Sequence, residues 1–149
     1  MDKQNVRSGG RTAIEFCDMF GSCKTKIHVK KGATSSELSH LFQQGTVSAE
    51  LLADDQLFRD GVRSMLDAVV PNLKRYVPTT KPKTSEYEIV FAIIDNRDKS
   101  IWPKNLPFFS QVTLRNCHKY LTGMGYKVSI KKIEIGALPL MPKVVVRKK

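Results

Sequence analysis

The sequence predicts an α/β domain, a mixed β-sheet with an amino-terminal hairpin and flanking helices, and three observations predict it. An almost unbroken apolar run from Tyr87 to Ile94 has the composition of a strand buried on both faces. A helical stretch and then an alternating segment follow it, the order of a parallel β-α-β unit. Near the amino terminus, Thr12 to Phe20 and Thr25 to Lys31 are rich in strand-forming residues and flank Gly21-Ser22, the pattern of an antiparallel hairpin.

Strand alternation puts Ile14, Phe16 and Asp18 on one face of the first segment. Thr34 and Glu37 have the spacing of a capping box, with Leu38, Leu41 and Phe42 as the apolar stripe behind it and Gly45 expected just past the helix end. A short helix is expected from Ser48 to Ala53. Asp54 or Asp55 then caps a helix in which Leu57, Phe58, Val62, Met65, Leu66 and Val69 recur at helical spacing across Gly61. Pro71, Pro78 and Pro82 among Thr and Lys mark 71–85 as an exposed connector. After the apolar strand, 95–107 reads as a loop. Ser110 is the expected cap of a helix with Leu114, Cys117, Leu121 and Met124 inward, closed by Gly123 and Gly125. Tyr126, Val128 and Ile130 alternate, and a bulge at Lys131-Lys132 is expected to return Ile133 and Ile135 to the core. The organisation is one domain over 1–136, its halves 1–70 and 86–136 joined by the connector, with a basic tail over 137–149.

A length of 149 residues suffices for one apolar core without disulfides or a structural metal. No apolar run approaches the ~18 residues of a membrane span. The first ten residues lack the apolar stretch of a secretory signal, so the expected compartment is the cytoplasm, with Cys17, Cys23 and Cys117 as free thiols.

Charge is unevenly spread. Residues 1–31 carry seven basic and three acidic side chains, 32–70 two basic and six acidic, and 71–85 four basic and none acidic, within a net +11. Basic clusters of this kind attract polyanions through counterion release. DNA or RNA is therefore the expected partner. Its expected contacts are Lys24, Lys26, Lys30 and Lys31 of the hairpin, His40 and Gln44 of the next helix, and Lys74, Arg75, Lys81 and Lys83 of the connector. Tyr76 and Trp102 are candidates for base stacking, with packing against the sheet the competing expectation for Trp102. The alternative from another class is a protein-interaction or homo-oligomerisation module presenting the helices of 34–69.

A hydrolytic reading rests on Asp18 at one strand end and on His28 and Lys30 sharing a face of the next strand, with Glu15 as a further oxygen donor. A metal-dependent phosphodiesterase needs carboxylates for the cation and a lysine near the attacking water. The spacing resembles the restriction-endonuclease-like superfamily, whose pattern is an Asp, an acid-any-Lys strand and a helix that often bears Gln, here Gln43 and Gln44. That resemblance implies Mg or Mn held by Asp18 and His28. Because His28 stands in the acid position, it implies a binding-only descendant as readily as an active nuclease.

A longer resemblance runs through Glu15-Phe-Cys-Asp18, Ile27-His-Val-Lys30, Ser35 to Gly45, Val47 to Leu52, Phe58-Arg59, Val90-Phe-Ala-Ile93, Leu106 to Asn116 and Gly125 to Val128. Over about residues 12 to 130 the chain is similar to the C-terminal part of a sporadically distributed family of uncharacterised bacterial proteins. Members are usually longer, which implies a truncated or stand-alone module. Their patchy distribution implies mobile elements or phage defence.

Overall fold

The computed structural model describes residues 5–7, 13–32 and 34–136, so the expected tail over 137–149 lies outside the described residues. Strands β1 (Asn5–Arg7) and β2 (Ala13–Glu15) pair antiparallel as a separate ribbon. The main sheet has the order β3 (Met19–Phe20), β4 (Thr25–Lys31), β5 (Glu88–Ile94), β6 (Lys127–Ile133). β3 runs antiparallel to β4, while β4, β5 and β6 are mutually parallel. Helices α1 (Ser35–Asp54) and α2 (Gln56–Val69) occupy the first parallel connection, and α3 (Phe108–Gly123) occupies the second. The expected mixed α/β sheet with flanking helices is what forms. Its hairpin is interrupted, because the chain bends at 16–18 and passes from β2, in one sheet, to β3, in the other.

Register explains the layering. Lys26, His28 and Lys30 of β4 align with Ile89, Phe91 and Ile93 of β5, and these with Val128, Ile130 and Lys132 of β6. Ile89, Phe91 and Ile93 are fully buried and cluster with Leu38, Phe42 and Leu52 of α1 and Leu121 of α3, so this side of the sheet carries the helices. Tyr87 and Val77 join the same cluster, which draws on residues before and after the proline-containing segment.

Four expectations are corrected. The break at Gly45 is absent, and α1 runs through it for 20 residues from a capping box at Thr34 to Asp54. Glycine is required there by proximity to the sheet. A Cβ at this position would overlap Phe91 Cε1 and stand 2.9 Å from its Cζ and 3.2 Å from His28 Cδ2. The segment after α2 is largely exposed but not structureless: it opens with a 3-10 helix at Pro71–Tyr76 and buries Val77. Arg63 donates to the carbonyls of Lys74 and Val77, and Tyr87 Oη donates to Tyr76 O at 2.5 Å. Proline suits the first turn of such a helix, where no N–H is needed.

The other two corrections concern the carboxyl-terminal half. Ser110 lies inside α3, which begins at Phe108 after Pro107, and its hydroxyl donates to Ser35 O at 3.3 Å, joining α3 to the start of α1. β6 pairs with β5 along its whole length without a bulge. Parity then leaves Ile133 exposed on the far face and turns Lys132 toward the helices, where its ammonium donates to Arg97 O. Asp55 caps α2 at Phe58 N (2.9 Å), as the spacing predicts.

Gly45→Ala is expected to destabilise the protein by about 1–3 kcal/mol, because overpacking against Phe91 outweighs the ~1 kcal/mol gain in helix propensity. Thermal denaturation checks this. An unchanged or higher midpoint would mean that α1 can lift from the sheet without cost.

Candidate functional site

The residues proposed for metal chemistry do not assemble as a donor set. Asp18 follows the bend at 16–18; its N–H donates to Ile27 O at 3.0 Å and its Oδ2 accepts from Val29 N at 2.7 Å. The carboxylate thus continues the ladder along β4 where the bent backbone has no carbonyl to offer. His28 lies beneath α1, 3% exposed, its ring 6.1 Å from that of Phe91 and its Nε2 without a hydrogen-bond partner. Lys30 is half-buried two residues along the same strand face, and Glu15 is half-buried on the separate β1–β2 ribbon. Among the described residues no three His, Cys, Asp or Glu side chains could share a metal ion.

Lys26, expected at the surface, is corrected most sharply: it is 0% exposed. Strand parity turns it under α1, where Nζ donates to Ser48 Oγ at 2.8 Å and lies 4.6 Å from the Phe16 ring centroid. Ser48 Oγ in turn donates to Phe16 O at 2.5 Å. A charged amine is costly to hold away from water, so burial lowers the Lys26 pKa from its ordinary 10.5 to about 7. Burial, and then the neighbouring Lys26, lower His28 to about 3. Burial pushes the Cys17 thiol up to about 12, so it is protonated at neutral pH.

Several expected nucleic-acid contacts are engaged elsewhere. Lys24, in a turn with φ 58°, pairs with Glu86, while Lys74 pairs with Asp67 at 2.9 Å and Lys81 with Asp54 at 2.8 Å. Arg75 lies over the Tyr76 ring and donates to its hydroxyl at 2.9 Å, so Tyr76 stacks on its own neighbour. Lys31, Lys83 and His40 are exposed, and Gln44 is half-buried within α1. Trp102 packs against the core edge.

A different surface collects what the hairpin does not. Residues 99–133 hold seven Lys or Arg and His118 but no Asp or Glu; Lys104, Arg115 and Lys119 belong to the loop and helix α3, whereas Lys127 and Lys131 take the far-face parity of β6 and Lys99 and Lys132 lie within 4.0 Å of Glu134. This stretch builds α3, the loop before it and β6, the edge strand of the main sheet. With no strand beyond β6 among the described residues, the outer side of α3 and the helix-facing side chains of β6 bound an open groove of about 540 Å³. Phe108, Val112, Arg115 and His118, spaced three or four apart, present one face of α3 to it. Val128 and Ile130 contribute from β6, and Pro103 and Lys104 from the loop. Among the described residues Lys104, Arg115 and Lys119 enter no ion pair. The sequence carries this signal as an acid-free stretch from 99 to 133.

The family of unknown function DUF6119 matches residues 1–134. The chain belongs to DUF6119. This is consistent with the resemblance to an uncharacterised family and reaches further toward the amino terminus than residue 12. No curated protein and no solved structure matches the chain, so the restriction-endonuclease-like similarity finds no support. Nor is any helix of the described DUF6119 residues long and apolar enough to cross a membrane.

Two outcomes test the assignments within this DUF6119 chain. Asp18→Ala is expected to cost about 1–3 kcal/mol in urea denaturation, the penalty of stripping Val29 N–H of its charged acceptor, with Asp18→Asn recovering part of it. Between pH 7 and 10.5 the unfolded chain holds a proton on Lys26 that the fold does not, so stability should rise across that window. For His28 the corresponding window is pH 3 to 6.5, and stability should fall as pH drops through it. Melting temperatures at pH 5, 7 and 9 are expected to increase in that order, and Lys26→Met should flatten the step from 7 to 9. An equal alkaline rise in the variant would remove Lys26 as its source.

Proposed function

We propose that the protein is a nucleic-acid-binding module whose contact surface is the α3–β6 face. The observation that carries this reading is the carboxylate-free span 99–133, with unpaired cations flanking an open groove. Phosphate binding draws its free energy from released counterions, and each carboxylate within a Debye length reduces that gain. No carboxylate interrupts the sequence of this span, and those that touch it, Glu50 at Tyr120, Glu88 at Ser129 and Glu134 at Lys99 and Lys132, leave Lys104 and Arg115 unpaired among the described residues. By contrast, Lys24, Lys74 and Lys81 are offset by carboxylates. The hairpin and connector therefore add less field than their composition implies.

Binding without hydrolysis is the form of the reading that the side chains favour. The carboxylate expected to hold a cation is spent on the β4 backbone, and the imidazole in the acid position is covered by helix. The alternative, a protein-interaction module on the helices of 34–69, has less to stand on: among the described residues its exposed large apolar side chains are Val47, Leu57 and Val69, while Leu38, Leu41, Phe42, Phe58 and Val62 are committed to the core.

Fluorescence anisotropy with labelled oligonucleotides at low salt tests the proposal. Binding is expected, and the slope of log affinity against log salt should shrink by about 2–3 when Lys104, Arg115 and Lys119 are replaced together by alanine. Lys24→Ala and Lys81→Ala should leave it nearly unchanged. No binding to DNA or RNA at low salt would end the reading.

A further inference from the structure

The groove is apolar as well as cationic, and phosphates alone do not explain that. Phe108 and Phe109 stand at the start of α3, each 71% exposed, with ring centroids 5.5 Å apart in an edge-to-face pair. Phe108 lines the groove, whose floor includes Leu114, Val128 and Ile130. Large aromatic side chains this exposed are costly to leave in water unless something covers them. The occupant must offer an apolar face and negative charge together.

The wall is preformed. Gln111 Nε2 donates to Lys104 O at 2.8 Å and Leu106 O at 2.7 Å, tying the loop to the helix and fixing Lys104's backbone beside Phe108's turn. Pro107 precedes the helix and restricts its entry. Little ordering remains to be done on binding. A volume of about 540 Å³ lies within the range that encloses a small-molecule-sized unit.

Resting on the nucleic-acid reading above, we propose that this groove takes an unstacked base of a single strand: the base lies against Phe108 and the apolar floor, and its flanking phosphates meet Lys104, Arg115 and His118. A duplex hides the faces of its bases and offers phosphates and edges, leaving Phe108 and the floor unused. A single strand exposes π-faces, and stacking on an aromatic side chain tolerates every base. An acidic peptide matches the cations but not the aromatic wall.

Anisotropy of a labelled strand reports occupancy, with the emission of Trp102, the sole tryptophan and sequence neighbour of Pro103 in the groove, as a second readout. Titrations with an oligonucleotide and with its duplex, at one low salt concentration, are expected to show tighter single-strand binding. Phe108→Ala should weaken the single strand about ten-fold and leave the duplex within about two-fold, whereas Phe108→Tyr should retain affinity. The exposed position of Phe108 predicts an unchanged melting temperature for both variants, which separates lost contact from lost fold. Equal affinity for the two forms, unaffected by Phe108→Ala, would overturn this inference while leaving nucleic-acid binding intact. Absence of binding to either form would remove both. A mononucleotide binding as tightly as the oligonucleotide, or polyglutamate competing equally well, would also overturn it.

Discussion

The contact between α1 and the strands beneath it sets the rest of the structure. Gly45 brings the helix backbone down onto Phe91 and His28, and one helical turn on, Ser48 meets the Lys26 ammonium. A buried amine, a hydroxyl and the Phe16 carbonyl form a short polar relay through an otherwise apolar layer, linking β4, α1 and the bend before β3. Such a relay is tolerable because each member finds a partner; an unpaired ammonium there would be far more costly. His28 Nε2, lacking one, is accommodated as a neutral imidazole.

With α1 seated there, the two parallel crossovers lay their helices on one side of the sheet and leave β6 as its edge among the described residues. Among the described residues no element packs on the outer side of α3, and its i, i+4 and i+7 residues Phe108, Val112 and Arg115 line the groove beside β6. Electrostatics is sorted by the same arrangement. The acidic stretch 32–70 forms α1 and α2, whose Asp54 and Asp67 pair with Lys81 and Lys74 of the following segment. Helix α3 and β6, by contrast, hold five Lys or Arg and no carboxylate of their own.

Local chemistry was legible wherever it depends on neighbours in sequence. Thr34 and Glu37 do form the capping box, Asp55 does cap α2, and the apolar run beginning near Tyr87 is the central strand. Gly45 misled because a glycine after an apolar stripe has the local signature of a helix end, while its reason here is the Phe91 ring from a strand more than forty residues away. Ser110 misled similarly: its partner is Ser35, on another helix. At Lys131-Lys132 the expected bulge assumed that isoleucine must face inward, but the register with β5 costs less to keep than to break.

The sequence by itself determined the alternation of strands and helices, the parallel β-α-β order and the overall positive charge, since periodicity, caps and composition are properties of neighbouring residues. Only the tertiary structure decided which charges face water. Lys24, Lys26, Lys30 and Lys31 look alike along the chain, yet one is ion-paired, one is sealed under a helix, one is half-buried and one is exposed. The physical reason is that burial and ion pairing depend on what packs opposite a side chain. In this fold that is set by α1 over β4 and by the place of β6 as the last strand of the sheet among the described residues.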